Sequence, residues 1–250
     1  MKTAILKTCM PKTAMILAAG LGTRMRPLTE TKPKVLVDVN GKPLIDWAID
    51  RLVEAGVAKV VVNLHHFADQ VENHLKGRSD IEVVFSPEPD ALETGGGIRA
   101  ALPLLGDAPF FAINGDAICL NGPTSALDRL AAAWQEDAMD GLLLLNSTVE
   151  AVGYDGQGDF LCESCGQLTR RPECEVAPFV FTGVQMLHPR AFSKTTDGAF
   201  SMNQVFDSAL ENNRLYGVIH DGLWLHVGTP EGRDEAEAAL DERYLDLRRR

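Results

Sequence analysis

The segment LAAGLGTRMRPLT (residues 17–29), with Lys32-Pro33-Lys34 close behind it, decides how the rest of the chain is interpreted. An apolar run at residues 14–19 leads into it and predicts a buried first strand. The glycines that follow let backbone N–H groups turn toward an anion without a Cβ in the way. Arg24 adds a planar fork of donors and Lys34 adds a point charge. Together these features predict a cradle for a triphosphate.

Two better-known phosphate loops do not fit this segment. A Walker A loop closes with Gly-Lys-Ser/Thr, which is missing here, and a Rossmann fingerprint has a third glycine where this chain has Met25. Gly20-Leu21-Gly22 alone is a weak signal. The segment becomes specific because Arg24, Pro-Leu-Thr and Pro-Lys follow the glycines at short, fixed offsets.

Strand and helix patterns alternate from the first strand to about residue 146. Strands are predicted at residues 60–64, 81–85, 110–113 and 142–145. Helices are predicted at 43–55, 68–76 and 125–134, and another opens after Gly95-Gly96-Gly97. This alternation predicts an α/β fold with a doubly wound, mostly parallel but mixed sheet of the Rossmann-like kind.

The second half of the chain has a different pattern. Between about residues 152 and 187 it changes to hairpins, with Gly153, Gly156, Gly158 and Gly166 as turn residues, which predicts a small β-hairpin lid over the edge of the sheet. A last helix is predicted from Thr229, the N-cap, and Pro230 to Arg248–Arg250 at the negative end of the helix dipole. Since no repeat or linker interrupts the chain, we expect one domain over residues 1–250.

The charges are distributed unevenly. Residues 1–37 carry seven Lys and Arg against Glu30 alone, a net +6, whereas the whole chain has −11 and the remainder therefore −17. An acidic body disfavours nucleic acid as a partner, while a local positive pocket suits a small polyanion. Lys2, Lys7 and Lys12 are interpreted as a solvated tail, unlike Arg24, Arg26 and Lys34, which sit among Gly and Pro.

Hydropathy and cysteine content indicate the compartment. No apolar run approaches the roughly 20 residues that span a bilayer, and the first seven residues are too short an apolar stretch for a signal peptide. Five cysteines, an odd number, argue against a disulfide framework. Cys162-Glu-Ser-Cys165 and Cys174 lack a fourth ligand for zinc, so we interpret them as thiols at the hairpin turn of Gly166. We expect a cytoplasmic protein without a membrane partner.

A second chemical signal is Asn114-Gly115-Asp116, which follows the buried strand at residues 110–113. Open α/β sheets bind ligands at the carboxyl ends of their strands. A carboxylate there is a hard oxygen ligand and suits a Mg²⁺ ion that bridges phosphates. The alternative is an aspartate that caps its own turn.

These motifs resemble the sugar-1-phosphate nucleotidyltransferases, whose signature is a first strand, GxGTRxxPLT and then PKP. The last Pro of that signature is Val35 here. The resemblance covers nearly the whole chain. Within the family, LETGGG at 92–97 and ALPLLG at 101–106 are most similar to the N-acetylmuramate-1-phosphate uridylyltransferases of cell-wall (peptidoglycan) recycling.

The resemblance implies a nucleotidyltransferase fold, in which residues 13–146 bind the nucleotide, 147–228 bind the sugar and 229–250 form the last helix. It makes Arg24, Lys34 and Asp116 the catalytic residues, with Mg²⁺, or else Mn²⁺, at Asp116. The implied nucleotide contacts are Ala18, Ala19, Gly20, Gly22, Thr23, Ser86, Glu88, Thr94, Gly95 and Asn114. The implied sugar-phosphate contacts are Arg171, Thr182 and Gly183, whereas Arg170 stands where many relatives have Glu.

The chain departs from the family at Trp224-Leu225-His226-Val227-Gly228-Thr229. Relatives usually have Asp, their second metal ligand, where this chain has His226. Imidazole is a softer ligand that favours Zn²⁺ or Mn²⁺ over Mg²⁺. Two interpretations stay open: His226 is a second metal ligand, or the metal is held by Asp116, phosphates and water. Asp221 is close in sequence to His226, and its position in space cannot be inferred.

The expected reaction joins an NTP to a sugar-1-phosphate and releases pyrophosphate, with UTP as the preferred nucleotide. A guanylyltransferase for mannose-1-phosphate or a heptose-1-phosphate, using GTP, is the first alternative. A nucleotide-sensing module that has lost catalysis is the second, which the missing carboxylate at position 226 would explain. The sequence is compatible with a monomer or a small homo-oligomer.

Overall fold

A computed structural model describes residues 10–249, with side chains described up to residue 242. Two predictions concern residues outside this range. They are the interpretation of Lys2 and Lys7 as a solvated tail and the expectation that the first seven residues are not a signal peptide. Arg250 also lies outside it, as do the side chains of Arg248 and Arg249. Lys12 is exposed but is not part of a free tail, because its Nζ donates to the Gly56 carbonyl at 3.3 Å and its own carbonyl accepts the N–H groups of Ala58 and Lys59.

Strands and helices alternate as the sequence predicts. The strands are β1 (Thr13–Leu17), β2 (Asp38–Val39), β3 (Lys42–Pro43), β4 (Lys59–Leu64), β5 (Glu82–Pro87), β6 (Phe110–Asn114), β7 (Ala117–Leu120), β8 (Gly141–Ser147), β9 (Phe160–Cys162), β10 (Leu168–Arg170), β11 (Phe179–Leu187), β12 (Leu215–Ile219) and β13 (Leu223–His226). The α-helices are α1 (Leu44–Glu54), α2 (Ala68–Leu75), α3 (Glu93–Leu105), α4 (Ala126–Ala133), α5 (Met202–Glu211) and α6 (Pro230–Arg249). Short 3₁₀ turns cover Thr23–Met25, Lys34–Leu36 and Pro189–Phe192.

The main sheet is mixed. The half built from the first part of the chain is parallel, in the order β6-β1-β4-β5. On the other side of β6, β11 runs antiparallel to β6 and β8, and β12 joins β8 in parallel. Hence the carboxyl ends of β1, β4, β5 and β6 meet at one edge of the sheet, where open α/β sheets bind ligands.

Helices cover both faces of this sheet, so the predicted doubly wound fold is confirmed. Helices α1, α2 and α4 bury their apolar residues against one face, and α3 and α5 bury theirs against the other. A third apolar cluster lies beneath α6 and joins it to β13 and to the segment at residues 25–44. The predicted N-cap of α6 is present, because the Thr229 hydroxyl accepts the Gly232 N–H at 3.1 Å.

Charged residues join α1 to the turn after α2. The Arg78 guanidinium pairs with Asp46, Asp50 and Asp80, and Lys42 pairs with Asp50 from the other side. Burial alone would raise the pKa of Asp50, but the hydrogen bonds and charges of these two cations outweigh it and hold that pKa below its ordinary value. The Asp50 carboxylate therefore stabilises the fold in its ionised form.

Three local predictions are corrected by the structure. The first strand ends at Leu17, two residues earlier than expected, because the Ala18 N–H donates to the Asn63 side chain instead of the sheet. Helix α3 begins at Glu93, so Gly95-Gly96-Gly97 lie inside its first turns. The predicted hairpin at β9 and β10 exists, but it pairs with β11 and extends the main sheet rather than covering its edge.

Two further features concern the expected compartment. None of the helices in the part of the chain that the structure describes is long and apolar enough to cross a membrane. The four described cysteines, Cys119, Cys162, Cys165 and Cys174, are free thiols.

Candidate active site

The glycine-rich loop after β1 forms one wall of a cavity of about 340 Å³. Gly22 adopts the left-handed conformation, with φ of 64°, and a Cβ there would approach Lys34 and Thr29 to 3.1 Å. The Thr29 hydroxyl donates to the Gly22 carbonyl at 2.7 Å. These contacts fix the turn so that the exposed side chain of Arg24 lines the cavity.

Lys34 and Asp116 meet in the same cavity although 82 residues separate them in sequence. Lys34 begins a 3₁₀ turn and Asp116 follows the carboxyl end of β6. The Lys34 Nζ donates to Asp116 Oδ2 at 3.0 Å. Burial would raise the pKa of Asp116, but Lys34, His226 and Arg24 outweigh it and lower the pKa below its ordinary value. Asp116 is therefore a carboxylate at neutral pH.

His226 lies beside this pair. β13 runs antiparallel to β7, which starts after Asp116, and the Val227 N–H donates to the Asp116 carbonyl at 3.0 Å. The His226 ring packs 5.7 Å from the Trp224 ring and 6.4 Å from Tyr154. Burial lowers its pKa; Asp116 opposes this, and Lys34 adds to it. The imidazole is therefore neutral near pH 7.

The donor set fits a divalent cation only in part. Asp116 supplies a hard carboxylate, and its second oxygen, Oδ1, makes no hydrogen bond to the described residues. Among the described residues, no group of three or more His, Cys, Asp or Glu side chains could hold a metal ion. A cation at Asp116 would thus take most of its ligands from substrate phosphates and water. Asp221 does not line the cavity, and its carboxylate pairs with Arg129 at 2.8 Å.

A buried amide and carboxylate organise the other end of the cavity. Asn63 and Glu88 both line it, and their side chains are 2% and 5% exposed. Asn63 Oδ1 accepts the Ala18 N–H and its Nδ2 donates to Glu88 Oε1, both at 2.7 Å. Glu88 Oε2 accepts the Leu92 N–H at 3.3 Å. The loops after β1, β4 and β5 are thereby joined. Sequence reasoning missed Asn63; its only signal is a polar residue near the end of an apolar strand.

The three glycines in the first turns of α3, Gly95, Gly96 and Gly97, approach their neighbours too closely to carry a side chain. A Cβ on Gly97 would lie 2.6 Å from Glu88 Oε1, and one on Gly95 would overlap the Phe200 ring. The Gly95 and Gly96 N–H groups donate to the Phe200 carbonyl, and the Thr94 hydroxyl accepts the Met202 N–H at 3.1 Å. Three glycines therefore occur inside a helix because close packing requires them.

The structure brings most of the predicted site residues together. Those that line the cavity are Ala18, Ala19, Gly20, Gly22, Thr23, Arg24, Lys34, Glu88, Thr94, Asn114 and Asp116. Those outside its lining are Ser86, Gly95, Arg171, Thr182, Gly183 and His226. Ser86 is buried on β5, one strand from Asn63.

The residues predicted to hold the sugar phosphate lie on and before β11. Thr182 and Gly183 are at an irregularity in this strand, where Thr182 is buried and a Cβ on Gly183 would meet the Asn114 side chain. They form a wall behind Asn114. The Arg171 guanidinium donates to the carbonyls of Gly158 and Glu175 at 3.0 and 2.8 Å. Arg170, by contrast, pairs with Asp207 at 2.8 Å, away from the cavity lining.

Comparisons with known proteins identify the family of the chain. The model of the MobA-like NTP transferase domain matches residues 14–152. The N-acetylmuramate alpha-1-phosphate uridylyltransferase of Caulobacter vibrioides is 46% identical over 93% of this chain and 98% of that protein. The enzyme of the same name from Neisseria meningitidis is 39% identical over 90% of this chain and 96% of that protein. The crystal structure of a UDP-glucose pyrophosphorylase with UDP-glucose shares the fold, with a TM-score of 0.77 at 21% identity, covering 94% of this chain and all of the other. The chain therefore belongs to the sugar-1-phosphate nucleotidyltransferase family.

Proposed function

We propose that the chain transfers a uridylyl group from UTP to N-acetylmuramate-1-phosphate, forming the UDP-sugar and pyrophosphate in peptidoglycan recycling. The observation that carries this proposal is the Lys34–Asp116 pair, with Arg24 on the same cavity. Two relatives of this activity, aligned along nearly their whole length, support the choice of base and sugar. Because NTPs and sugar phosphates are made inside cells, we place the reaction in the cytoplasm.

The proposed reaction is an in-line displacement at the α-phosphorus. An oxygen of the sugar phosphate forms a new bond to this phosphorus while the bond to the pyrophosphate oxygen breaks. A phosphate monoester is largely dianionic near neutral pH and is already a nucleophile, so no general base is needed. Positioning and charge neutralisation then supply most of the rate. Arg24 and Lys34 donate to the phosphate oxygens on which charge develops.

The family generally uses a divalent metal ion, and we propose Mg²⁺, with Mn²⁺ as a substitute. Asp116 would hold it, and His226 is the candidate for a further contact. When bound, the ion neutralises charge on the phosphates. Lys34 holds the Asp116 carboxylate in place and keeps it ionised, which a hard cation requires.

The cavity has a basic end and an acidic end, which sets the proposed orientation of the nucleotide. The triphosphate lies at Arg24 and Lys34, and the ribose and base lie along the loop from Ser86 to Gly96 that Asn63 and Glu88 support. We propose that residues 13–146 bind the nucleotide and 147–228 bind the sugar, with Thr182, Gly183 and Arg171 toward the sugar phosphate. For Arg171, Nη2, which makes no hydrogen bond to the described residues, is the group that would donate to the sugar phosphate.

A panel of four NTPs against several sugar-1-phosphates, scored by pyrophosphate release, tests the proposal. We expect UTP with N-acetylmuramate-1-phosphate to give the highest kcat/KM. Turnover with GTP and mannose-1-phosphate or a heptose-1-phosphate would establish a guanylyltransferase instead. Binding of an NTP without any product would establish a sensing module.

The metal role is tested separately with Asp116→Asn, which keeps the shape and removes the charge. We expect this variant to fold and to lose metal-dependent turnover. Activity that persists in the variant, or in wild-type protein with excess EDTA, would contradict the metal role of Asp116.

A further inference from the structure

Glu93 has an unusual backbone for its residue type. Within residues 10–249, five residues other than glycine have φ in the left-handed region: Asn40, Phe67, Glu93, Cys174 and Asn213. Of these, Glu93, with φ of 57°, is the one that lines the cavity. Asparagine tolerates this region well, whereas glutamate adopts it at a cost in free energy.

The surrounding chain forces this conformation. The Phe200 N–H donates to the Leu92 carbonyl at 3.1 Å, just before Glu93, and the Phe200 carbonyl accepts the Gly95 N–H at 2.9 Å, just after it. The Thr94 side chain is also engaged, by the Met202 N–H. Glycine at position 93 would take the same φ without strain. Where a residue other than glycine keeps a strained backbone at a ligand cavity, its side chain is expected to have a use.

The Glu93 carboxylate is available for a ligand. It is exposed, and it makes neither a hydrogen bond nor an ion pair with any residue that the structure describes. Its loop leaves β5, which lies two strands from β1 in the order β6-β1-β4-β5. At the usual spacing, two strands correspond to about 10 Å. Glu93 thus lies with Glu88 on one side of the cavity, and Arg24 and Lys34 lie on the other.

We propose that Glu93 is a specificity-determining residue, whose carboxylate accepts a hydrogen bond from the nucleoside part of the NTP. An ionised carboxylate accepts hydrogen bonds and cannot donate them, and it repels phosphate. The partner is therefore an O–H or N–H donor, either a ribose hydroxyl or the N–H of the base. This inference rests on the proposed function, because it takes an NTP as the ligand of the cavity.

Two substitutions separate this contact from a structural role. Glu93→Gln keeps the length and removes the charge, and Glu93→Gly removes both the side chain and the strain. By calorimetry, we expect the Kd for UTP to rise about tenfold or more in Glu93→Gly, as expected for losing a hydrogen bond to a charged group. Its melting temperature should equal or exceed that of the wild type by up to about 3 °C. A purely structural residue would lose stability and binding together.

Two controls test whether the loss of affinity comes from the nucleoside part of UTP. Asp90 is an exposed carboxylate of the same loop outside the cavity lining, so Asp90→Asn should leave the Kd for UTP within twofold. The Kd for pyrophosphate should be unchanged within twofold in Glu93→Gly, because pyrophosphate has no nucleoside. Wild-type affinity for UTP in both Glu93 variants would overturn the proposal.

UTP analogues identify the group of the nucleoside that donates the hydrogen bond to Glu93. The wild type should lose about tenfold in affinity with either 2′-deoxy-UTP or N3-methyl-UTP, and the same analogue should cause no further loss in Glu93→Gly. Equal losses in both proteins with both analogues would overturn the proposal. If the wild type binds GTP and not UTP, the proposed base is wrong. The comparison of GTP with 2′-deoxy-GTP and N1-methyl-GTP then decides the role of Glu93 by itself.

Discussion

Replacing Lys34 by methionine removes the cation at the centre of the site and keeps a long, unbranched side chain. Its ammonium lies 3.0 Å from Asp116 Oδ2, and the two side chains are 12% and 27% exposed. At a site partly shielded from solvent, the Coulomb attraction between such a pair is about 4 kcal/mol. The cost of removing the two charges from water offsets much of this attraction. Without the positive charge of Lys34, less opposes the effect of burial on the Asp116 carboxyl, so the pKa of Asp116 rises.

The loss of Lys34 should affect activity and stability by different amounts. Removing one preorganised donor to the developing phosphate charge costs about 10²- to 10³-fold, so we expect kcat/KM for pyrophosphate release to fall by at least about 10². We expect the free energy of unfolding to fall by about 1–3 kcal/mol, because a partly buried carboxylate loses its partner. The measurements are steady-state kinetics and urea unfolding of the same samples.

Two further variants make this prediction refutable. Lys32→Met removes a lysine two residues earlier, which pairs with Asp38 at 3.4 Å outside the cavity lining, and should change kcat/KM by less than about threefold. The double variant Lys34→Met/Asp116→Asn should regain much of the lost stability and none of the activity. If Lys34→Met retained kcat/KM within threefold of the wild type, its assignment as a phosphate contact would be wrong.

Three other outcomes are expected from the same structure. His226→Asp adds a negative charge beside Asp116 and should lower Mg²⁺-dependent activity at least about tenfold; higher activity than the wild type would show that position 226 is a metal ligand. Gly97→Ala should displace the buried carboxylate behind it and raise the KM for the NTP about tenfold, whereas Gly77→Ala, which has open space around it, should be neutral. Asp50→Asn should be less stable than the wild type at pH 6, by less than about 1 kcal/mol because Asp50 is one-third exposed. This deficit should shrink as pH falls below the ordinary carboxyl pKa of about 3.9 and vanish below the lowered folded pKa, as urea unfolding at pH 6 and pH 3 can measure.

The parts of the site that the sequence predicted are those whose signal is local. Arg24 stands at a fixed offset from Gly20 and Gly22, and Asp116 follows an apolar strand that could only be buried. Strand and helix periodicity predicted the layers for the same reason, because each element shows its own buried face. These features do not depend on knowing which distant residue is a neighbour.

Asn63 shows what local signals leave out. Its partners, Ala18 and Glu88, are 45 and 25 residues away, and only the pairing of β1, β4 and β5 brings them together. Gly97 is similar, because a glycine inside a helix has no cause in the helix itself and is explained by the Glu88 carboxylate against it. The role of Arg171 stays a prediction, since its guanidinium is hydrogen-bonded to the carbonyls of Gly158, Pro172 and Glu175.

The order of the strands gives the cavity its electrostatic direction. The basic segment follows β1 and faces Asp116 after β6, whereas the buried Glu88 and the exposed Glu93 follow β5, two strands away. An NTP has the opposite arrangement, with its negative charge at one end and neutral donors at the other. An NTP placed in reverse would put its phosphates against two carboxylates, which repel them. We therefore expect the carboxylates of Glu88 and Glu93 to select the orientation of the nucleotide, and the cations of Arg24 and Lys34 to determine where its α-phosphorus lies.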